Sequence, residues 1–250
     1  MREISTSTLL IFTRGAAGDA ARRALAPGRL REMEIGLREA CLDAVLAAGR
    51  ELGCRLEVSS PAALPLPADA VRFPQPGTGF GDRLERAMLD AFRRGAGPLI
   101  VVGTDVPGLA PRHLERALDL LDADPDRVVL GPSPDGGFYL LAARRPVAGL
   151  ATRVRWCGRE TLRDLLKLLR AQGRPVALLE PVADLDRPAD LERWLAQGAV
   201  EDGGRWREIV RLLRTAFADL NRPLPACFPS SPGDPLSRLA GRAPPVSPSL

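Results

Sequence analysis

The sequence predicts an α/β domain with a largely parallel sheet. Two observations carry this. Apolar runs of strand length alternate with segments of helical periodicity over residues 8 to 197. One of these runs, Pro98 to Gly103 (PLIVVG), is continuous, apolar and β-branched, as a strand buried on both faces must be.

The elements follow in order. Leu9-Leu10-Ile11-Phe12 reads as a buried first strand that enters a loop at Thr13-Arg14 and the glycines beyond. Leu30 to Leu52 places Leu30, Met33, Leu37, Cys41, Val45 and Leu46 at helical spacing. Leu56-Glu57-Val58 is a second strand, Pro61 to Pro67 a proline-rich loop, and Val71-Arg72-Phe73 a short third strand. Gly79 to Arg94 is helical, with Leu84, Met88, Leu89 and Phe92 on one face. The central PLIVVG strand ends at Thr104-Asp105-Val106-Pro107, and a helix starts near Pro111, where proline suits a first turn. Arg127 to Leu130 and Phe138 to Ala142 are strands separated by a Gly-Gly break. Arg159 to Gln172 is helical, Val176 to Leu179 a strand, and Pro188 to Gln197 a helix. Arg205 to Leu220 is a further amphipathic helix, which closes a single domain over residues 1–220. Asn221 to Leu250 holds 8 of the 24 prolines and few core residues, the composition of a disordered tail.

The inventory excludes several chemistries. The chain has one histidine, His113, and one lysine, Lys167. Its four cysteines (Cys41, Cys54, Cys157, Cys227) are far apart and form no CxxC pair, so neither a thiolate zinc site nor a disulfide framework is expected. His113 falls in the first turn of a helix, a structural or surface position rather than that of a catalytic base. No run reaches the length of a membrane span, and the short polar start, Met1 to Thr8, is not that of a secretion signal; a cytoplasmic protein is expected. The net charge of +4 comes from arginines spread along helices beside acids, which is not the clustered charge of a nucleic-acid surface. Any catalysis must then rest mainly on carboxylates, arginines and backbone amides, with or without a bound metal.

Ligands of open α/β sheets bind beyond the carboxyl ends of the strands. Three loops at such ends carry aspartates. Asp105 follows the central strand in a turn shaped by Pro107 and Gly108, where it can hold a hard cation or stabilise its own turn and the next helix. Gly131 to Leu141 (GPSPDGGFYLL) combines three glycines with Asp135, as a hairpin turn or a substrate-contact loop does, and the two are compatible. Asp184-Leu185-Asp186 puts two carboxylates on one side of an extended segment, with Asp186 also placed to cap the following helix. The glycine-rich Gln75 to Arg83 (QPGTGFGDR) runs into a helix, as a loop that holds an anion or a base edge does, but it matches neither a P-loop nor GxGxxG.

Taken together these motifs resemble a family of small bacterial GT-A-fold transferases, a domain of unknown function in which some members are labelled glycosyltransferases associated with radical-SAM and arsenosugar pathways. The resemblance spans Leu9 to Trp194. It rests on Phe12-Thr13-Arg14, Leu25-Ala26-Pro27, Gln75 with Gly81-Asp82-Arg83-Leu84, Gly103 to Leu109 (GTDVPGL), Gly131 to Leu140 and Asp184 to Leu191. It implies a three-layer αβα sandwich with a mixed, mostly parallel sheet. It also implies Mg²⁺ or Mn²⁺ at Asp105 with Asp186 or Asp184, and Asp135 on the acceptor side with Gly136 and Gly137. Substrate contacts are implied for Arg14, Gln75, Gly81, Arg83, Thr104 and Pro107.

One departure stands out. The family's first loop carries a lysine and an arginine ahead of L-A-P. Here Gly15 to Leu25 offers Arg22 and Arg23, only one of which fits either register, and Asp19 adds a negative charge. Arg14, Arg22 and Arg23 are expected to assist at the phosphates, without lysine's compact charge. The leading expectation is glycosyl transfer from a nucleotide sugar. The alternatives are nucleotidyl transfer that releases pyrophosphate from an NTP, and a catalytically degenerate member that binds a nucleotide or a partner. The acceptor and the oligomeric state are not legible.

Overall fold

Leu9, Leu10 and Ile11 are fully buried because their strand, β1 (Thr8–Phe12), runs through the middle of the protein. In this computed structural model, residues 6–22, 31–196 and 211 are described. The predicted helix at 205–220 and the tail at 221–250 therefore lie outside the described residues, apart from Arg211.

The remaining strands are β2 (Arg55–Ser59), β3 (Ala70–Phe73), β4 (Leu99–Val102), β5 (Val128–Pro132), β6 (Phe138–Ala143) and β7 (Val176–Leu178). They form one sheet in the order β3-β2-β1-β4-β6-β5-β7. PLIVVG is the central strand, as its composition requires. β6 runs antiparallel to both of its neighbours, and every other pairing is parallel. The mixed, mostly parallel sheet follows from one feature: β5 and β6 are joined by a hairpin rather than a crossover helix.

Alternation along the strands divides the core in two. Leu9, Ile11, Val58, Ile100, Val102 and Val129 pack on one face with α2 (Arg31–Glu51) and α4 (Pro111–Ala123). Leu10, Leu99, Val101, Leu130 and Leu141 pack on the other face with α3 (Gly79–Arg93), α5 (Leu150–Arg153) and α6 (Thr161–Ala171). This makes three layers. A last helix, α7 (Pro188–Ala196), buries Leu191, Trp194 and Leu195. No helix among the described residues is long and apolar enough to cross a membrane.

Two elements depart from the sequence reading. The segment after Arg14, expected as a loop, forms a helix, α1 (Ala16–Arg22). Its alanines favour helix, and the loop reading gave the glycines too much weight. The one-turn helix α5 was missed because four residues are too few to show a period. Its start is secured from outside: the Glu85 carboxylate of α3 accepts the Gly149 and Ala151 N–H groups at 2.9 and 2.7 Å.

Candidate active site

The carboxyl ends of β1 and β4 and the β5–β6 turn open into one cavity of about 840 Å³, within the size range of small-molecule sites. Thr13 and Arg14 enter it from β1, and Gly103, Thr104 and Asp105 from β4. Asp135, Gly136 and Gly137 enter from the hairpin turn, and Asp184 and Asp186 from the strap that joins β7 to α7. Gln75 and Arg83 close the side formed by the β3–α3 loop and α3. Of the other predicted residues, Gly81 and Pro107 do not line it. Gly81 is a packing residue: a Cβ there would lie 2.2 Å from the Trp156 indole nitrogen. Arg22 ends α1, and its side chain, like Arg23 and Leu25-Ala26-Pro27, lies outside the described residues.

The strap is threaded across the sheet edge by its backbone. The Val182 N–H donates to the Pro132 carbonyl (3.2 Å), and the Leu185 N–H donates to the Asp105 carbonyl (2.8 Å). These bonds carry Asp184 and Asp186 to the hairpin turn. One carboxylate oxygen from each of Asp135, Asp184 and Asp186 falls within 4.8 Å of the others. Asp105 lines the same cavity and is repelled by Asp186 and, more weakly, by Asp19. Asp105 does not serve the start of α4, whose N-cap position is Ala110. Asp135 keeps its turn role, since its Oδ1 accepts the Gly137 N–H at 2.8 Å. The hairpin turn and the cavity-lining loop are thus one structure.

Burial and mutual repulsion make Asp105 and Asp184 weaker acids than ordinary aspartates. Asp105 is pushed up to about 6, by desolvation first and then by the charges of Asp186 and Asp19. Asp184 is pushed up to about 7, by desolvation and then by Asp135, Asp105 and Asp186. Between the ordinary value of 3.8 and these values the folded chain binds more protons than the unfolded chain. The stability these two groups contribute is therefore complete below that window and is lost as pH rises through about 6 and about 7. A divalent cation held by these carboxylates would replace the lost protons. The melting temperature gained on adding Mn²⁺ is accordingly expected to be small at about pH 5 and large at about pH 8, read by thermal unfolding with and without the ion. An equal gain at both pH values contradicts this.

On the other side of the cavity, Thr13 anchors the first turn. Its Oγ1 lies 2.8 Å from Thr104 Oγ1, accepts the Gly15 N–H at 3.0 Å and donates to Asp19 Oδ2 at 3.2 Å. Asp19 also lies 4.0 Å from Arg14. Gln75 is 7% exposed; its amide nitrogen donates to the carbonyls of Ser59 (3.0 Å) and Thr13 (3.3 Å), but its Oε1 finds no partner among the described residues. A buried acceptor in this state favours a ligand that brings an N–H or O–H.

Two features escaped the sequence reading. Arg38 lines the cavity although it is only 4% exposed, and its Nε donates to the fully buried Glu34 carboxylate at 3.1 Å. Glu34 and Arg38 stand four apart on a helix, a spacing that normally marks a solvated ion pair; only the packing of α2 makes this one internal. The second feature is an aromatic wall. Phe12 meets Phe80 at 5.3 Å, Phe80 meets Trp156 at 5.0 Å and Trp156 meets Phe138 at 6.0 Å, and all four line the cavity of a chain with only 4% aromatic residues. Phe12, Phe80 and Phe138 sit at strand and helix ends far apart in sequence, so no local pattern announces them.

This geometry can be set beside known proteins. A family described as an uncharacterized protein conserved in bacteria (DUF2064) matches residues 36–158. A phosphoenolpyruvate guanylyltransferase of Sphaerobacter thermophilus is 32% identical over 178 residues, which cover 67% of this chain and 81% of that protein. A crystal structure from Desulfovibrio desulfuricans G20, provisionally assigned as a nucleotide-diphospho-sugar transferase, superposes with a TM-score of 0.67 at 20% identity. That likeness covers 85% of this chain and 96% of the other. The likeness in fold agrees with the three-layer sandwich that the motifs imply.

Proposed function

The chain belongs to the DUF2064 family of bacterial proteins, and on that premise we propose that it is a divalent-metal-dependent transferase acting on a nucleotide-activated donor. The observation that carries this reading is the carboxylate group of Asp135, Asp184 and Asp186, with Asp105 in the same cavity, at the carboxyl edge of the sheet. An all-oxygen set of aspartates suits Mg²⁺ or Mn²⁺ rather than a softer metal. Asp184 and Asp186 would hold the ion together with Asp105 or Asp135, and the ion would supply charge against the phosphates of the leaving group. Three carboxylates this close, with a fourth in the same cavity, have no such use in a site for a neutral ligand, because their repulsion only costs stability.

The chain's own residues have the following parts. Gln75 Oε1 would accept a proton donor of the nucleoside, since its amide nitrogen is already committed to the backbone. Arg38, oriented through Nε by Glu34, would face the donor phosphates, with Arg14 and Arg83 nearer the opening. Asp135, held by the Gly137 amide, would face the acceptor and take its hydroxyl proton as the new bond forms. Gly136 and Gly137 let the acceptor approach the backbone of the turn.

Glycosyl transfer from a nucleoside diphosphate sugar is the reading favoured by α1. Asp19 lines the cavity and already occupies Thr13 and Arg14, and its negative charge would oppose a triphosphate more than a diphosphate. In this reaction the acceptor oxygen bonds to the anomeric carbon, the bond from that carbon to the diphosphate breaks, and nucleoside diphosphate leaves. Nucleotidyl transfer is the second reading, favoured by the guanylyltransferase relative. There an acceptor phosphate attacks the α-phosphorus of an NTP and pyrophosphate leaves. Incubation with Mn²⁺ and either nucleotide sugars or NTPs, across a panel of hydroxyl and phosphorylated acceptors, separates them. Nucleoside diphosphate release is the expected result; pyrophosphate release selects the second reading. A failure of Mn²⁺ to promote binding of either donor class in calorimetry argues against both.

A further inference from the structure

The sole histidine does not line the cavity, yet it is 2% exposed and hydrogen-bonded at both nitrogens. His113 occupies the first turn of α4. The Ala110 N–H donates to its Nδ1 at 2.9 Å, which places the proton of the neutral ring on Nε2. Nε2 lies 2.8 Å from Glu180 Oε1 and donates to it. Burial holds the imidazole below its ordinary value, which keeps the ring neutral.

Glu180 is held by more than this bond. Arg112 Nε donates to the same carboxylate oxygen at 3.3 Å, and the Tyr139 hydroxyl donates to the Glu180 carbonyl at 3.1 Å. Tyr139 in turn packs edge-on against His113, at 5.8 Å. Glu180 is the residue just before Pro181, where the strap that carries Asp184 and Asp186 begins. The strap leaves β7 at the edge of the sheet, where Leu178 is 54% exposed and no further strand among the described residues supports it. Its carboxylates are driven apart by mutual repulsion, which the Val182 and Leu185 backbone bonds oppose along the strap and the Glu180 contacts oppose at its start.

We propose that His113, Glu180 and Tyr139 form a clamp that positions the strap, with His113 as a positioning residue that brings Asp184 and Asp186 to Asp135. The inference rests on the metal reading above and gives the solitary histidine a part in it. His113 touches no substrate and acts through Glu180 on the geometry of the ion's ligands, as outer partners of metal ligands do.

Titration of the full chain with MnCl₂ alone, followed by the spin resonance of free Mn²⁺, tests the clamp without any substrate. His113→Ala is expected to weaken Mn²⁺ binding about tenfold, near the lower end of what loss of an outer partner costs. Glu180→Ala is expected to do the same, and the double variant to lose no more than the larger single loss, because both remove one link. His113→Gln, whose Nε2 can replace that of the ring, is expected to restore affinity to within about twofold. Equal affinity in the unaltered chain and His113→Ala overturns the clamp and leaves the metal reading standing. Lowered thermal stability without weaker binding marks a purely structural histidine and overturns it too. An unaltered chain that binds no Mn²⁺ overturns both. Should His113→Ala not fold, Glu180→Ala, at a side chain 60% exposed, carries the same test.

Discussion

Replacing Asp184 with asparagine is expected to stabilise the metal-free protein and to abolish transfer. The two effects have one origin. Asp184 is half-buried among Asp135, Asp105 and Asp186, and burial with their charges lifts its pKa to about 7. At about pH 8 the ionised carboxylate costs stability, and an amide of the same shape removes that cost, on the order of 1–3 kcal/mol. A rise in melting temperature that disappears at about pH 4, where the native carboxyl is itself protonated, is the expected signature. The same change takes an anionic oxygen from the proposed ion site, so Mn²⁺ no longer raises the melting temperature. Turnover falls by at least about 100-fold, the scale of losing one preorganised electrostatic group. Thermal unfolding and product release measured on one preparation check both. A variant that is less stable and equally active would show that Asp184 is an ordinary structural residue.

Gly136→Ala is expected to be the most damaging single methyl group at the site. Gly136 sits at φ +93°, a backbone region that side chains strain to enter. A Cβ there would stand 2.2 Å from the Arg159 carbonyl oxygen, an atom of the backbone that cannot swing aside. The Gly136 carbonyl also accepts the Leu162 N–H at 2.9 Å, which docks the start of α6 onto the turn. Strain and clash together cost about 2–4 kcal/mol. In a protein of this size that lowers the melting temperature by roughly 5–10 °C. Because Asp135 precedes Gly136, Mn²⁺ binding weakens as well. Gly158→Ala is the control: it lies in the facing loop, a Cβ there meets nothing within 4 Å, and stability should hardly change. Equal behaviour of the two variants would show that the turn adapts and does not constrain Asp135.

The contrast between these glycines shows where sequence reading succeeds. DGG after an apolar strand is a turn in any context, because its requirements are local, and the β5–β6 hairpin stands where the spacing puts it. The Asp105 loop was legible for the same reason: a carboxylate after a fully buried strand must emerge at the edge of a sheet. Gly81 was less legible. Its motif suggests contact with substrate, but whether a glycine serves a ligand or a neighbouring indole depends on Trp156, 75 positions further along the chain. The first loop misled for a local reason, since its glycines stand among alanines whose helical preference prevails.

The sequence by itself determined the layer architecture, the central strand and the loops that bear Asp105, Asp135, Asp184 and Asp186, since strand periodicity and turn chemistry act over a few residues. It also determined the inventory: with one histidine and one lysine, the proposed chemistry has carboxylates and arginines to draw on. Only the tertiary structure decided which carboxylates meet. Asp135 joins Asp184 and Asp186 because β6 turns back antiparallel and the strap hydrogen-bonds to Pro132 and Asp105. Only the structure made Arg38 internal and tied His113 to the strap through Glu180. Coulombic and desolvation effects act through space, so the acidities of the aspartates depend on neighbours that no spacing along the chain reveals.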